Sequence, residues 1–321
     1  MEQHLAKAEQ VLLFLNRRGY APSLICQDCG WLVPCSRCDA RLVFYQGQNR
    51  LRCHHCGAER PVVIRCGSCD SAKLRPLGQG TERVEQTLLQ YFPNTGIVRI
   101  DRDSTRRKGS MQAMLEGVHE GRSGILIGTQ MLAKGHHLPN VTLVGILDAD
   151  QGLFGVDFRS PERMAQLIVQ VTGRAGRSDK PGQVMIQTRH PDHPLLRALL
   201  GQGYAAFAQA ALAERHLAAL PPYTCMALLR ATAVQSEPPQ DFLNQARELG
   251  LTLDMKPVQL LGPVAAPMER RAGRYRAQLL VQAAQRTDLQ HFLGAWIPQL
   301  EDLKIARKVR WSIDVDPMEM G

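Results

Sequence analysis

Short apolar runs bounded by polar or glycine-rich turns recur through the first two thirds of the chain: VLLFLNRRG (11–19), GIVRID (96–101), SGILIGTQ (123–130), VTLVGILDAD (141–150) and GQVMIQT (182–188). Runs of this length without polar alternation predict strands buried on both faces, as in a parallel sheet. Between them the period becomes helical. In TERVEQTLLQYFP, Val84, Leu88 and Tyr91 share one face and Pro93 ends the segment. In RSPERMAQLIVQVTGR, Ser160 is placed to cap and Pro161 suits the first helical position, with Met164, Leu167, Ile168 and Val171 as the apolar stripe. The alternation predicts an α/β domain, whose ligands gather outside the carboxyl ends of the strands.

Beyond residue 190 this pattern stops. HPLLRALLGQGYAAFAQAALAERHLAALPP (193–222) reads as one or two helices halted by Pro221-Pro222, a connector. From 223 to the end, strand-like ALLRATAV, RYRAQLLVQA and VRWSIDVD mix with helical QDFLNQARELGLTL and DLQHFLGAWIPQL, which predicts an α+β domain of about a hundred residues. A second interruption, residues 24–75, follows the first strand and holds eight of the nine cysteines.

With 321 residues the chain is long enough for two or three domains and does not need disulfides to fold. Near the N-terminus the apolar run VLLFL is too short for a membrane span or signal core, so a soluble, cytoplasmic protein is expected. In a reducing compartment, paired cysteines read as metal ligands. Cys225, alone after Pro-Pro, is expected to be an inert buried thiol.

The paired cysteines form four C-x-x-C units: Cys26/Cys29, Cys35/Cys38, Cys53/Cys56 and Cys66/Cys69. The segment between Cys38 and Cys53, DARLVFYQGQNRLR, reads as a hairpin turning at Gly47-Gln48-Asn49. Cys35, Cys38, Cys53 and Cys56 would meet at its base, as in a zinc ribbon, and the outer pairs would close a second site around it. The five residues between Cys29 and Cys35 leave a sequential pairing open. All-thiolate tetrahedral sites select zinc, with an iron–sulfur cluster as the alternative, and four closed ligands make the two zincs structural. His54 and His55 are read as spacers or phosphate contacts. The segment carries eight Lys/Arg against four Asp/Glu, and the whole chain 39 against 30, net +9. That balance suits a polyanionic partner and equally a solvated surface.

Three further stretches carry candidate chemistry. In QVTGRAGR (170–177) a helix delivers Gln170 and then Arg174 and Arg177 among glycines, a spacing that suits charge stabilisation on a transferring phosphoryl group; the alternative is a basic helix end satisfying carbonyls. In GTQMLAKG (128–135), Thr129 and Gln130 follow a strand directly and can hydrogen-bond phosphates. ERRAGRYR (269–276) sets four arginines, Arg274 among them, beside Tyr275, fit to follow a DNA backbone and stack a base; a solvated basic loop is the other reading.

GTERVEQ, GTQMLAKG, LDAD and QVTGRAGR, in this order and with eight paired cysteines inserted after LNRRG, resemble the second RecA-like lobe of a superfamily 2 helicase. More narrowly, the chain is similar throughout to the C-terminal half of the PriA family of primosomal replication-restart helicases. The resemblance implies a RecA-like lobe (1–23 and 76–195), a zinc-binding insertion with two four-cysteine sites (24–75), a helical connector (196–222) and an α+β domain binding DNA and partners (223–321). It implies 3′ to 5′ unwinding of branched DNA coupled to ATP hydrolysis with Mg2+, and promotion of primosome assembly. Gln170, Arg174 and Arg177 would serve catalysis, Gly173, Lys134 and Gly135 the nucleotide, and Thr81 DNA alongside Thr129 and Gln130. Family partners are single-stranded DNA-binding protein, with Arg286 and Gln290 (in AAQRTDLQHF) at its acidic tail, and other primosome proteins; a monomer with no membrane association is expected. No G-x-x-x-x-G-K-[ST] loop occurs, so the chain is expected to be a fragment or truncated product, inactive alone. A non-catalytic zinc module docking DNA and replication proteins is the other class of function compatible with this composition.

Overall fold

The computed structural model describes residues 1–15, 23–45, 49–77, 81–101, 104, 105, 107, 109–129, 132, 138–155, 157–173, 181–253, 255 and 258–320. The chain begins with α1 (Glu2–Leu5), β1 (Gln10–Leu15), β2 (Ser23–Cys26), β3 (Val43–Tyr45), β4 (Arg50–Arg52), β5 (Glu59–Pro61) and β6 (Leu74–Leu77). It continues with α2 (Thr81–Tyr91), β7 (Ile97–Ile100), α3 (Ser110–His119), β8 (Ile125–Gly128), β9 (Val141–Leu147), α4 (Asp150–Leu153), α5 (Ser160–Thr172) and β10 (Gln183–Ile186). Then come α6 (Pro194–Gln202), α7 (Tyr204–Leu217), β11 (Cys225–Ala233), α8 (Glu237–Thr252), β12 (Val258–Arg271), β13 (Arg274–Ala283), α9 (Arg286–Asp302) and β14 (Arg310–Val315). Two compact units result, residues 1–21 with 78–211 and residues 22–77 with 212–321.

In the first unit five strands form a wholly parallel sheet in the order β10-β9-β1-β8-β7. The central β1 is buried along its whole length. Its side chains alternate between two cores: Leu12 and Phe14 join Val118 of α3, Ile168 of α5 and Leu196 of α6, whereas Val11, Leu13 and Leu15 join Leu88 of α2. An uninterrupted apolar strand is therefore required, and VLLFL supplies it. The cysteine-rich segment leaves from the carboxyl end of β1; residues 16–19 of the run expected as strand lie outside the described residues. Gly128 ends β8 where a Cβ would come within 2.3 Å of the Leu132 side chain, so the lack of a side chain makes room for Leu132 in the core.

Two helix details differ from expectation. Tyr91 is 76% exposed, and Phe92, just past the end of α2, takes the expected place beside Val84 and Leu88. Ser160 is the first helical residue of α5 and caps nothing. The entry turn is set instead by Asp157, whose carboxylate accepts the Arg159 N–H at 2.9 Å and whose carbonyl accepts the Ser160 N–H at 2.8 Å. The stripe Met164, Leu167, Ile168 and Val171 is buried as the period requires.

In the second unit β12-β13-β11-β14 form an antiparallel sheet, with α8 and α9 following β11 and β13. This β-α-β-β-α-β order is ferredoxin-like. Odd-numbered residues of β11 and β13, from Ala227 to Ala231 and Ala277 to Val281, pack under Phe242, Leu243, Phe292 and Trp296. Gly250 lets α8 approach, since a Cβ there would lie 2.6 Å from Leu260. Cys225, expected to be buried, is only half-buried because it opens β11 at the sheet margin. The cysteine-rich segment contributes a two-stranded β2-β6 pair and a three-stranded β3-β4-β5 sheet. The predicted β3-β4 hairpin forms; Gly47 and Gln48 of its turn lie outside the described residues.

Trp296 is fully buried and its indole N–H donates to the Ala246 carbonyl at 2.9 Å. Trp296→Ala should lower the unfolding free energy of the C-terminal domain by about 3–5 kcal/mol, measured by urea denaturation followed by circular dichroism.

Candidate metal centres and the strand-end site

Each C-x-x-C unit is a tight turn whose backbone is tied before any metal is considered. The Cys26 N–H donates to the Trp31 carbonyl at 2.8 Å, Cys35 to Ala40 at 2.9 Å, Cys53 to Ala58 at 2.8 Å and Cys66 to Ser71 at 2.8 Å. The four turns bring eight thiols into two groups. Cys26, Cys29, Cys66 and Cys69 form one and Cys35, Cys38, Cys53 and Cys56 the other, with all ligand atoms of a group within 4.8 Å of one another. This is the nested pairing; the sequential one is not formed.

The sulfur separations identify the chemistry. Cys26 to Cys69 is 3.6 Å, Cys29 to Cys66 3.5 Å and Cys35 to Cys56 3.7 Å. Disulfide sulfurs sit about 2.05 Å apart. Tetrahedral zinc–thiolate bonds of about 2.3 Å set sulfurs about 3.8 Å apart, which these clusters match. Burial pushes the Cys38 thiol up to about 12, although the Ala272 N–H works against it. Against its own burial, the Ala58 N–H and neighbouring thiols hold Cys56 down to about 7. Four mutually repelling thiolates in one such group need a divalent cation to balance them, and two sites of four cysteines each fit zinc.

Neither histidine joins a cluster. His54 Nε2 pairs with the Tyr45 hydroxyl at 3.1 Å, the rings stacked. Burial and the guanidinium groups of Arg271 and Arg276 hold the His55 imidazole below the ordinary histidine range.

At the carboxyl ends of the parallel strands the expected residues divide. Thr129 directly follows β8, and its carbonyl accepts the Leu132 N–H at 2.9 Å. Gln170 is exposed on the last turn of α5, and Gly173 ends that helix. Gln130, Lys134, Gly135, Arg174 and Arg177 lie outside the described residues. Thr81 opens α2, but its hydroxyl donates to the buried Asp101 at 2.6 Å. Asp101 also pairs with Arg99, which reaches Glu82 and Glu85. Thr81 is thus part of a network tying α2 to the end of β7.

The C-terminal residues are placed as follows. ERRAGRYR is no open loop: it is the β12-β13 turn, with Arg271 opposite Arg274 and Arg270 opposite Tyr275. Arg274 and Tyr275 are half-buried on β13, and the Arg274 Nε is buried with no hydrogen-bond partner among the described residues. Arg270 is paired with Asp39 of the cysteine-rich segment. Arg286 is the first residue of α9, with extended Gln285 in the cap position. Its guanidinium pairs with Asp316, and the exposed Gln290 opens the second turn of α9. Sequence reasoning missed the contact of residues 268–273 with the second cysteine cluster. No local signal marks it, since Ala272-Gly273 is not one of the residue pairs that announce a two-residue hairpin.

Comparison with known proteins gives consistent matches. Family descriptions match in three parts: "PriA DNA helicase Cys-rich region (CRR) domain" over residues 35–61, "Helicase conserved C-terminal domain" over 62–179 and "Primosomal protein N C-terminal domain" over 216–318. Proteins named "Replication restart protein PriA" are similar along the chain: that of Haemophilus influenzae is 49% identical over 100% of this chain, and that of Bacillus subtilis 40% over 100%. That of Synechocystis is 39% identical over 98% of this chain. The chain spans 44%, 40% and 38% of these relatives' own lengths.

Atomic absorption should find two zincs per chain, and Cys53→Ser should leave one. Chelation of both should raise amide exchange throughout residues 24–70 while β1, β8 and β9 keep their protection, read by hydrogen-exchange mass spectrometry.

Proposed function

The chain belongs to the PriA family of replication restart proteins, as the C-terminal portion of that family's length, and on this premise we propose that it is the second motor lobe, zinc module and C-terminal domain of a replication-restart DNA helicase. The observation that carries this reading is the parallel sheet, with Thr129 of GTQMLAKG directly after β8 and with Gln170 and Gly173 of QVTGRAGR on the last turn and at the end of α5. In the complete protein a first lobe would bind ATP and Mg2+, and this lobe would close on the phosphates. Gln170 on the last turn of α5 and Gly173 at its end lead into Arg174 and Arg177, which would stabilise charge on the γ-phosphoryl group. Lys134 and Gly135 would approach the nucleotide. Turnover would drive 3′ to 5′ unwinding of branched DNA.

DNA contacts divide between the units under this reading. Thr129 and Gln130 would follow phosphates at the strand ends. Thr81 would do so only by giving up Asp101, so it ranks behind them. Arg274 and Tyr275, half-buried on β13, would contact a single strand. Arg286 and Gln290 would receive the acidic tail of single-stranded DNA-binding protein, displacing Asp316 from the Arg286 guanidinium. The domain division is read as lobe, zinc insertion, connector and C-terminal domain, acting as a monomer in the cytoplasm with other primosome proteins. Among the described residues no helix is long and apolar enough to cross a membrane.

The test joins this chain to the preceding half of the Haemophilus influenzae relative. The chimera should hydrolyse ATP only when DNA is present, and Arg174→Ala or Arg177→Ala should lower turnover by about 10³-fold with DNA affinity nearly unchanged. Parental turnover in both variants would refute the catalytic assignment. Binding of the acidic tail peptide should weaken in Arg286→Glu, measured by fluorescence anisotropy; identical curves for variant and parent remove Arg286 from the contact.

A further inference from the structure

Three of the four C-x-x-C knuckles close on themselves. In each, the residue four places after the first cysteine donates its N–H to that cysteine's carbonyl: Gly30 to Cys26 at 2.9 Å, Gly57 to Cys53 at 2.9 Å and Asp70 to Cys66 at 3.1 Å. The fourth knuckle does not. Asp39, in the corresponding place after Cys35, sends its N–H to the carbonyl of Arg270 at 2.9 Å, 231 residues away in sequence.

The β12-β13 turn answers this gap with a matching set of groups. The Arg270 N–H returns to the Asp39 carboxylate, and the Gly273 N–H donates to the Arg37 carbonyl at 2.7 Å. The Arg37 guanidinium reaches the Ala272 carbonyl at 3.4 Å. The Ala272 N–H donates to Cys38 Sγ at 3.1 Å. Met268 packs on the small core that holds Leu42, Leu51 and the cysteines. The turn has φ of +54° at Ala272 and +79° at Gly273, the pairing of a type I′ hairpin. Alanine is a poor residue for the first of these positions, since its Cβ crowds the left-handed backbone. The strained conformation is the one that aims its N–H at the sulfur.

We propose that the Cys35/Cys38/Cys53/Cys56 centre is shared between the cysteine-rich segment and the C-terminal domain, the Arg270–Gly273 turn closing its fourth knuckle, so that metal binding there and docking of the hairpin are one coupled equilibrium. The Cys26/Cys29/Cys66/Cys69 centre binds metal without the hairpin. Donors to a metal-bound thiolate fix its orientation, and removing such outer partners costs about 10–100-fold in metal affinity. Coupling is reciprocal: if the docked hairpin tightens metal, metal tightens the hairpin by the same factor. Zinc occupancy at this one centre thereby sets the position of the strand ends that carry Arg274, Tyr275 and Arg276.

The inference rests on zinc filling the clusters, and metal content tests that separately: a chain that purifies and reconstitutes without two metals fails the zinc reading itself. With two metals bound, the coupling is tested on the full chain by chelator competition and by ¹¹³Cd resonances after cadmium exchange. Ala272→Pro deletes the N–H donor, and Asp39→Ala deletes the carboxylate without touching a ligand. Each should weaken one metal by about 10–100-fold and shift one cadmium resonance, leaving the other metal as an internal control. Ala272→Gly keeps the donor, relieves the strained φ and should bind both metals at least as tightly as the parent. Removing the weaker metal from the parent should raise amide exchange in residues 268–274. Parental affinity for both metals in Ala272→Pro and Asp39→Ala, or hairpin exchange indifferent to metal, overturns the proposal.

Discussion

Thiolates brought within 4.8 Å of one another repel, and a segment with only a handful of buried aliphatic side chains has little else to hold it together. The core among the described residues of 23–77 centres on Leu24, Val33, Leu42 and Leu51 packed among cysteines, with Trp31, Phe44, Val62 and Val63 half-buried against it. Strands here are three or four residues long, too short for independent stability. The nested geometry follows from this constraint. The β3-β4 hairpin places Cys38 and Cys53 at its base, and the β2-β6 pair then has to bring the outer cysteines together around it.

The first unit depends on a different balance. Its inner strands β1, β8 and β9 are buried on both faces, so helices must cover each side, whereas β10, expected to be buried as well, exposes Gln183 and Met185 because it is an edge strand. Burial of Leu12 and Phe14 on one side and Val11, Leu13 and Leu15 on the other makes β1 the pillar of both cores. The cysteine-rich segment follows this pillar in the chain. The Arg99–Asp101–Thr81 network, with Glu82 and Glu85, ties the start of α2 to the end of β7.

Much of this was legible from local pattern. Continuous apolar runs named the parallel strands; for the inner β1, β8 and β9 the reason is that a strand covered on both faces has no polar side to show. The C-x-x-C spacing and the length of the segment between Cys38 and Cys53 pointed to two tetrahedral sites. Helix stripes were right where the period alone decides, and they slipped at ends, as at Tyr91 and Ser160, where a neighbouring Phe92 or Asp157 took the role instead.

What the chain by itself determined was therefore the set of parts: five parallel strands, four thiol pairs, an α+β mix of strands and helices, and two arginines that follow the α5 stripe in sequence. Each is encoded within about twenty residues by periodicity or spacing. Only the tertiary structure decided which parts meet. The choice between nested and sequential thiol pairing was made by the β2-β6 pairing, whose partners are about fifty residues apart. That Thr81 spends its hydroxyl on Asp101, that Arg286 meets Asp316, and that Arg270 and Ala272 reach Asp39 and Cys38 follows from contacts between distant segments. No local pattern specifies such contacts, because a side chain or an N–H group carries no mark of its partner until packing has placed the two side by side.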